Sequence, residues 1–176
     1  MASSLDFELR NMGNELWELE GHRDQAIAAE RTELVGRCEQ RMLAIAKTAY
    51  DAAQTGGPHY EVACFVAGLA LRMLGRWEEA EGGFRRLTES NPNSGEAWLE
   101  LTWIYTELDR PIDALRAARN AAAQLPDEAD TWLNLTQCLL AVDEFEPARD
   151  ALAAAEEMEP DNPRVAQLRA AFEFEA

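Results

Sequence analysis

His22 and His59 stand 37 residues apart. Histidine is a common metal ligand and the side chain that shuttles protons near neutral pH. Neither has a partner at ligand spacing, and there is no Cys-x-x-Cys or His-Glu-x-x-His, so no metal site is expected. Cys38, Cys64 and Cys138 lie scattered on apolar helical faces. Without a pairing pattern they read as reduced thiols of the core, the usage of an intracellular chain. The carboxylate pairs Glu78-Glu79 and Glu156-Glu157 are of the type that acid–base chemistry uses. They fall within helical patterns, where a run of charge is a solvated face. Gly82-Gly83 also lies inside a helical pattern, not in a loop that cradles phosphate. It weakens that helix by roughly 1 kcal/mol per glycine relative to alanine, and close helix packing is the reading we favour. No catalytic residue and no cofactor are expected, and the chain does not read as an enzyme.

The elements that carry these residues repeat. Pro92, Pro126 and Pro160 are 34 residues apart, and the text between them is in phase. Trp98 aligns with Trp132, Leu101 with Leu135, Thr102 with Thr136, Ala114 with Ala148 and Ala121 with Ala155. One period earlier come Cys64, Gly68, Ala80, Phe84 and Leu87. A fixed period of this length marks stacked helix pairs. Repeats are expected over 61–94, 95–128 and 129–162. Small residues at Gly68, Thr102 and Thr136 would let the paired helices approach closely. Turns are expected at 74–76, 109–111 and 143–147, with Asp109 and Asp143 as N-caps, and Asn93 with Glu96 has the spacing of a capping box.

The chain has 176 residues, 47% of them hydrophobic, and a formal charge of −17 from 33 acids and 16 bases. Residues 1–60 hold 10 acids and 6 bases, so the acidity is concentrated on the repeats. This excludes nucleic acid, whose phosphates need cationic neutralisation, and anionic membrane surfaces. The field suits a basic or amphipathic partner; solubility explains it equally well. No membrane span and no secretory signal are expected.

The repeat spelling resembles the tetratricopeptide repeat family, which writes an aromatic, Leu-Gly, Tyr, Ala, Phe, Ala and Pro. Trp98, Leu101, Thr102, Tyr105, Ala114, Ala118, Ala121 and Pro126 carry it in the second repeat. Trp132, Leu135, Thr136, Leu139, Ala148, Leu152, Ala155 and Pro160 carry it in the third. The first departs most, with Cys64 at the aromatic position. The resemblance implies an all-α fold, an α-solenoid of stacked antiparallel helix pairs with capping helices. It also implies a concave groove lined by the first helix of each repeat. Mapped onto this sequence, that groove takes Val62, Phe65, Leu69 and Met73; then Glu96, Leu99, Trp103, Thr106 and Glu107; then Asp130, Leu133, Asn134 and Gln137. Phe65, Leu69, Leu99, Trp103 and Leu133 would form an apolar strip, of the kind that marks a binding site. Some family members clamp acidic chaperone tails with basic and amide side chains. The matching positions here are Phe65, Leu69, Glu100, Asp130 and Asn134, of which only Asn134 could serve, so that activity is not implied.

Outside the repeats, Leu5, Leu9, Met12, Leu16 and Leu19 form a narrow heptad seam in a helix expected to end at Gly21. Ile27, Leu34, Cys38, Met42, Ile45, Ala49 and Ala52 hold one face of a longer helix over 23–54. Residues 1–60 are thus an N-terminal helical extension or cap, with a degenerate repeat over 27–60 as the alternative. Residues 163–176 read as a C-terminal capping helix, with Phe174 left over from its stripe. The expected function is a cytoplasmic, non-enzymatic adaptor or scaffold that binds a peptide segment of another protein in the groove. Two alternatives stand beside it. The general layout resembles type III secretion chaperones that hold translocator clients, and the N-terminal seam could make a self-assembling homodimer.

Overall fold

The computed structural model describes residues 4–173; Phe174 and the other terminal residues lie outside them. The described residues are all-α, with nine helices: α1 (Ser4–Ala28), α2 (Thr32–Gln54), α3 (Tyr60–Met73), α4 (Trp77–Ser90), α5 (Gly95–Glu107), α6 (Pro111–Gln124), α7 (Ala129–Leu140), α8 (Phe145–Met158) and α9 (Pro163–Glu173). They fall into two compact units, Met1–Ser90 and Asn91–Ala176. Each unit is a stack of antiparallel helix pairs of the solenoid type. No helix among the described residues is long and apolar enough to cross a membrane.

In the first unit α1 packs on both α2 and α3, and α3 packs on α2 and α4. The heptad seam is spent here: Leu9 and Leu16 are fully buried, and Leu5, Met12 and Leu19 are half-buried. Gly21 does not end α1, which runs on to Ala28. Tertiary packing overrides the weak propensity of glycine. Beyond Gly21, Ala26 is buried and Arg23 donates to the carbonyl oxygen of Met73, at the carbonyl-rich end of α3 where a cation is favoured. The predicted face of α2 is buried from Cys38 to Ala52, and that helix is unbroken through 41–43. Ile27, placed on the same face by its spacing, is exposed because it belongs to α1.

The helix pairs close by one device. Glu30, Gly75, Asp109 and Asp143 each take a left-handed backbone, with φ of 55°, 70°, 53° and 60°. The next amide along reaches back five residues, Arg31 to Ala26, Arg76 to Leu71, Arg110 to Tyr105 and Glu144 to Leu139, at 2.8–3.0 Å. These bonds satisfy carbonyls that a helix end leaves bare. Asp109 and Asp143 are therefore C-terminal stops of α5 and α7, not N-caps of α6 and α8. Aspartate tolerates positive φ better than most residues, so its local chemistry serves the preceding helix. Nor does Asn93 cap α5: Ser94 holds that position without a side-chain bond, and the Asn93 amide donates to Asn91 Oδ1 at 3.2 Å.

In the second unit the 34-residue period is visible as duplicated bonds. Trp98 Nε1 donates to the Pro92 carbonyl and Trp132 Nε1 to the Pro126 carbonyl, both at 2.8 Å. Each indole thus pins the turn that precedes its helix. The buried hydroxyls of Thr102 and Thr136 donate to the carbonyls of Trp98 and Trp132, both at 2.9 Å. Small residues can stand at these helix contacts without leaving a polar atom unmet. At the end, Leu133, Leu152, Ala155 and Val165 form one cluster, flanked by Trp132, Leu168 and Phe172. Val165, Leu168 and Phe172 put the stripe of α9 over α7 and α8.

An ion pair joins the first two helices. Arg41 on α2 grips Glu15 on α1 through two bonds of 2.6 and 2.8 Å. The hydrogen bond from Arg41 holds the Glu15 carboxyl below its ordinary 4.5. A lowered carboxylate contributes stability that is full above its unfolded pKa and lost as pH falls through the folded value. Glu15→Gln should therefore lower stability at pH 7 by at most about 1 kcal/mol, since the pair is solvent-exposed. The difference from wild type should vanish in melts run well below pH 4.5.

Cys38, Cys64 and Cys138 are free and buried. Burial pushes the Cys64 thiol up, partly offset by a hydrogen bond with Tyr60, and pushes Cys138 up to about 11. Thiolate is the reactive form. An alkylating agent at pH 7.5 should leave both thiols unmodified in the native protein and label both in denaturant, as read by intact mass.

Candidate functional site

The thirteen residues expected to line a groove are divided between the two units. Val62, Phe65, Leu69 and Met73 are on α3 of the first. Glu96, Leu99, Trp103, Thr106 and Glu107 on α5, with Asp130, Leu133, Asn134 and Gln137 on α7, are in the second.

In the first unit, Leu69 and Met73 are buried. α1 lies along α3, which α2 and α4 also pack against. A side chain at Gly13 would stand 3.6 Å from Val66, and Arg23 holds the Met73 carbonyl. The expected groove floor on α3 is thus taken up inside the chain. Phe65 is half-buried, with its ring edge-to-face on that of Phe84 at 5.5 Å. Phe84 in turn presses on the bare backbone of Gly68, where a Cβ would come within 2.8 Å of the ring.

In the second unit, Leu133 is fully buried in the cluster under α9 and does not face solvent. Asp130 and Asn134 are tied together from α9. Arg164 donates to Asp130 Oδ1 at 2.9 Å and to Asn134 Oδ1 at 2.7 Å. Arg164 comes one period of 34 after Asp130, so α9 stands where the first helix of a further repeat would. Arg164 is not among the residues expected from sequence. Its signal is there, as a basic residue in phase with Glu96 and Asp130.

What stays open is the face that α5 and α7 share. Trp103 on α5 is 51% exposed. Around it Thr102, Thr106, Asn134, Gln137 and Cys138 form a shallow recess of 40 Å³. Glu96, Thr106, Glu107 and Gln137 are exposed, and Leu99 is half-buried. Four of the expected residues, Trp103, Thr106, Asn134 and Gln137, thus meet at one recess. An exposed indole with amide and hydroxyl groups beside it supplies apolar area and hydrogen bonds. It offers no nucleophile with an adjacent base. Among the described residues no group of His, Cys, Asp and Glu converges to hold a metal ion.

This architecture belongs to the all-helical repeat proteins. A family model described as Tetratricopeptide repeat matches residues 105–172, and the described chain has the fold of that family. Among solved structures it is similar to MamA, at 17% identity and TM-score 0.68, covering 75% of this chain and 77% of that one. YrrB, described as a TPR protein with an unusual peptide-binding site, is 19% identical with TM-score 0.65, over 89% and 84%. The first TPR of Spaghetti (RPAP3), bound to the HSP90 peptide SRMEEVD, is 17% identical with TM-score 0.59, over 62% and 88%. Among curated proteins, none matches the chain.

Proposed function

We propose that this protein is a non-catalytic interaction adaptor that takes a peptide segment of a partner on the face of α5 and α7, with Trp103 as the anchor. The carrying observation is the half-exposed indole of Trp103 above the recess that Asn134 and Gln137 line. Tryptophan is the side chain most enriched among residues that dominate interface energy. Its exposed ring offers a partner a large apolar area to bury. YrrB and the Spaghetti domain, which share the fold, are described with peptides or a peptide site. Exposed Glu96 and Glu107 on α5 favour a peptide with basic or amphipathic character. The net charge of −17 speaks against nucleic acid and anionic membrane as alternative ligands.

The test is a selection of displayed 16-residue peptides on the full chain, with Trp103→Ala as the counter-screen. A convergent motif that the variant fails to retain supports the adaptor reading. A motif retained equally by both rules this face out as the binding surface.

A further inference from the structure

An open concavity of the first unit lies across α3 between α2 and α4. It encloses 840 Å³. Its wall on α2 is a stripe at helical spacing, Leu43, Lys47 and Tyr50, with Leu43 46% and Tyr50 47% exposed. Its floor is small, formed by Ala67 and Gly68 of α3. On α4 the wall is Gly82 and Gly83. Gly83 faces α3, where a Cβ would stand 3.5 Å from the Gly68 Cα, so close packing accounts for it. Gly82 is different: a Cβ there would meet nothing within 4 Å. A glycine inside a helix costs roughly 1 kcal/mol relative to alanine, and no neighbour among the described residues requires this one. Bare backbone beside an apolar floor is the surface on which a second helix can lie closely.

The charges on this rim invert those of the chain. Lys47, Arg76 and Arg86 stand against Glu78 and Glu79. Arg76 is taken by Glu79 through bonds of 2.6 and 2.7 Å. Lys47 is the chain's single lysine, and Arg86 lies over the Tyr50 ring at 5.9 Å. Neither makes an ion pair among the described residues. Two unpaired cations thus flank an exposed apolar strip, with Glu78 as the one unpaired acid, in a protein of net charge −17.

We infer that this groove is a second docking site and that its occupant is an amphipathic helix of a partner protein, carrying acidic residues beside its apolar stripe. From Gln40 to Tyr50 the α2 wall spans roughly 15 Å at 1.5 Å per residue, the length of about three helical turns. The apolar stripe seats on Leu43, Tyr50 and the bare backbone at Gly82. The carboxylates reach Lys47 and Arg86. Helix-in-groove recognition of this type reads anchors at i, i+3, i+4 and i+7.

The experiment uses the full chain and displayed random 16-residue peptides, with winners measured by fluorescence anisotropy. Gly82→Trp plugs the groove from an open helical position, and circular dichroism checks its fold. Gly82→Ala leaves the groove open and should melt higher than wild type. The expected winners have an apolar helical period flanked by Asp or Glu. They should lose at least about tenfold in affinity to Gly82→Trp and to the Lys47→Glu, Arg86→Glu double variant, which is the scale of losing one strong contact. They should bind Gly82→Ala and Trp103→Ala as they bind wild type. A selection that returns no acidic helical winners, or acidic winners that Gly82→Trp retains, would overturn the inference. A light-scattering mass showing a dimer that Gly82→Trp turns into a monomer would also overturn it, because the occupant would be a second copy. Winners lost only in Trp103→Ala would support the α5–α7 face while sinking this groove, so the two readings fail separately.

Discussion

Phe84→Ala is expected to destabilise the first unit by about 3–5 kcal/mol, the range for deleting a buried aromatic side chain. Phe84 is fully buried on α4. It contacts Phe65 edge-to-face at 5.5 Å and fills the space that Gly68 leaves on α3. That arrangement predicts a change of sign at Gly68. In wild type, Gly68→Ala would put a Cβ 2.8 Å from the Phe84 ring. Overpacking of this kind costs about 1–3 kcal/mol, which exceeds the roughly 1 kcal/mol that alanine gains in helix propensity. With Phe84→Ala already made, the same substitution meets no ring and should be neutral or stabilising. Urea denaturation of the four proteins in this cycle isolates the coupling. An unchanged midpoint for Phe84→Ala, or a Gly68→Ala effect independent of residue 84, would show that the pair does not hold α3 against α4.

Trp103→Ala is expected to weaken the selected peptide by at least about 2 kcal/mol, roughly thirtyfold, while leaving helicity and thermal stability close to wild type. Both halves rest on one observation. Trp98 and Trp132 each give their indole N–H to a turn carbonyl at 2.8 Å and so serve the fold. Trp103 is 51% exposed and lies outside that scheme. Trp98→Ala is therefore the contrasting control: it should cost stability. A large loss of stability in Trp103→Ala would mean that the indole is a packing residue, and its exposure no sign of a ligand.

The repeat frame is legible in the sequence because each repeated residue does the same job twice. Trp98 and Trp132 pin turns, Thr102 and Thr136 bond back along their own helices, and the prolines keep the phase. Local sequence is enough to place those residues on helices. It misleads where a residue's role is set by a distant neighbour. Gly21 has the look of a stop, but the packing of Ala26 and Arg23 carries α1 past it. Leu69, Met73 and Leu133 have the spacing of groove residues, yet burial takes all three into the core. For Leu69 and Met73 the burial goes with α1 lying along α3. For Leu133 it goes with Val165 of α9. Asp109 and Asp143 are turn residues, as expected, but serve the helix before the turn, since a cap and a left-handed stop use the same side chain. The groove between α2 and α4 is not legible, because its walls come from three helices and its most telling member, Gly82, has no side chain.

Whether the α5–α7 face holds a partner peptide through Trp103 is decided most directly by isothermal titration. The selected peptide is titrated into wild type and Trp103→Ala, with Gly82→Trp as the control for the other groove. Tight binding to wild type and to Gly82→Trp is expected, with a loss of roughly thirtyfold or more in Trp103→Ala. Equal affinity for wild type and Trp103→Ala would contradict a peptide anchored on this indole.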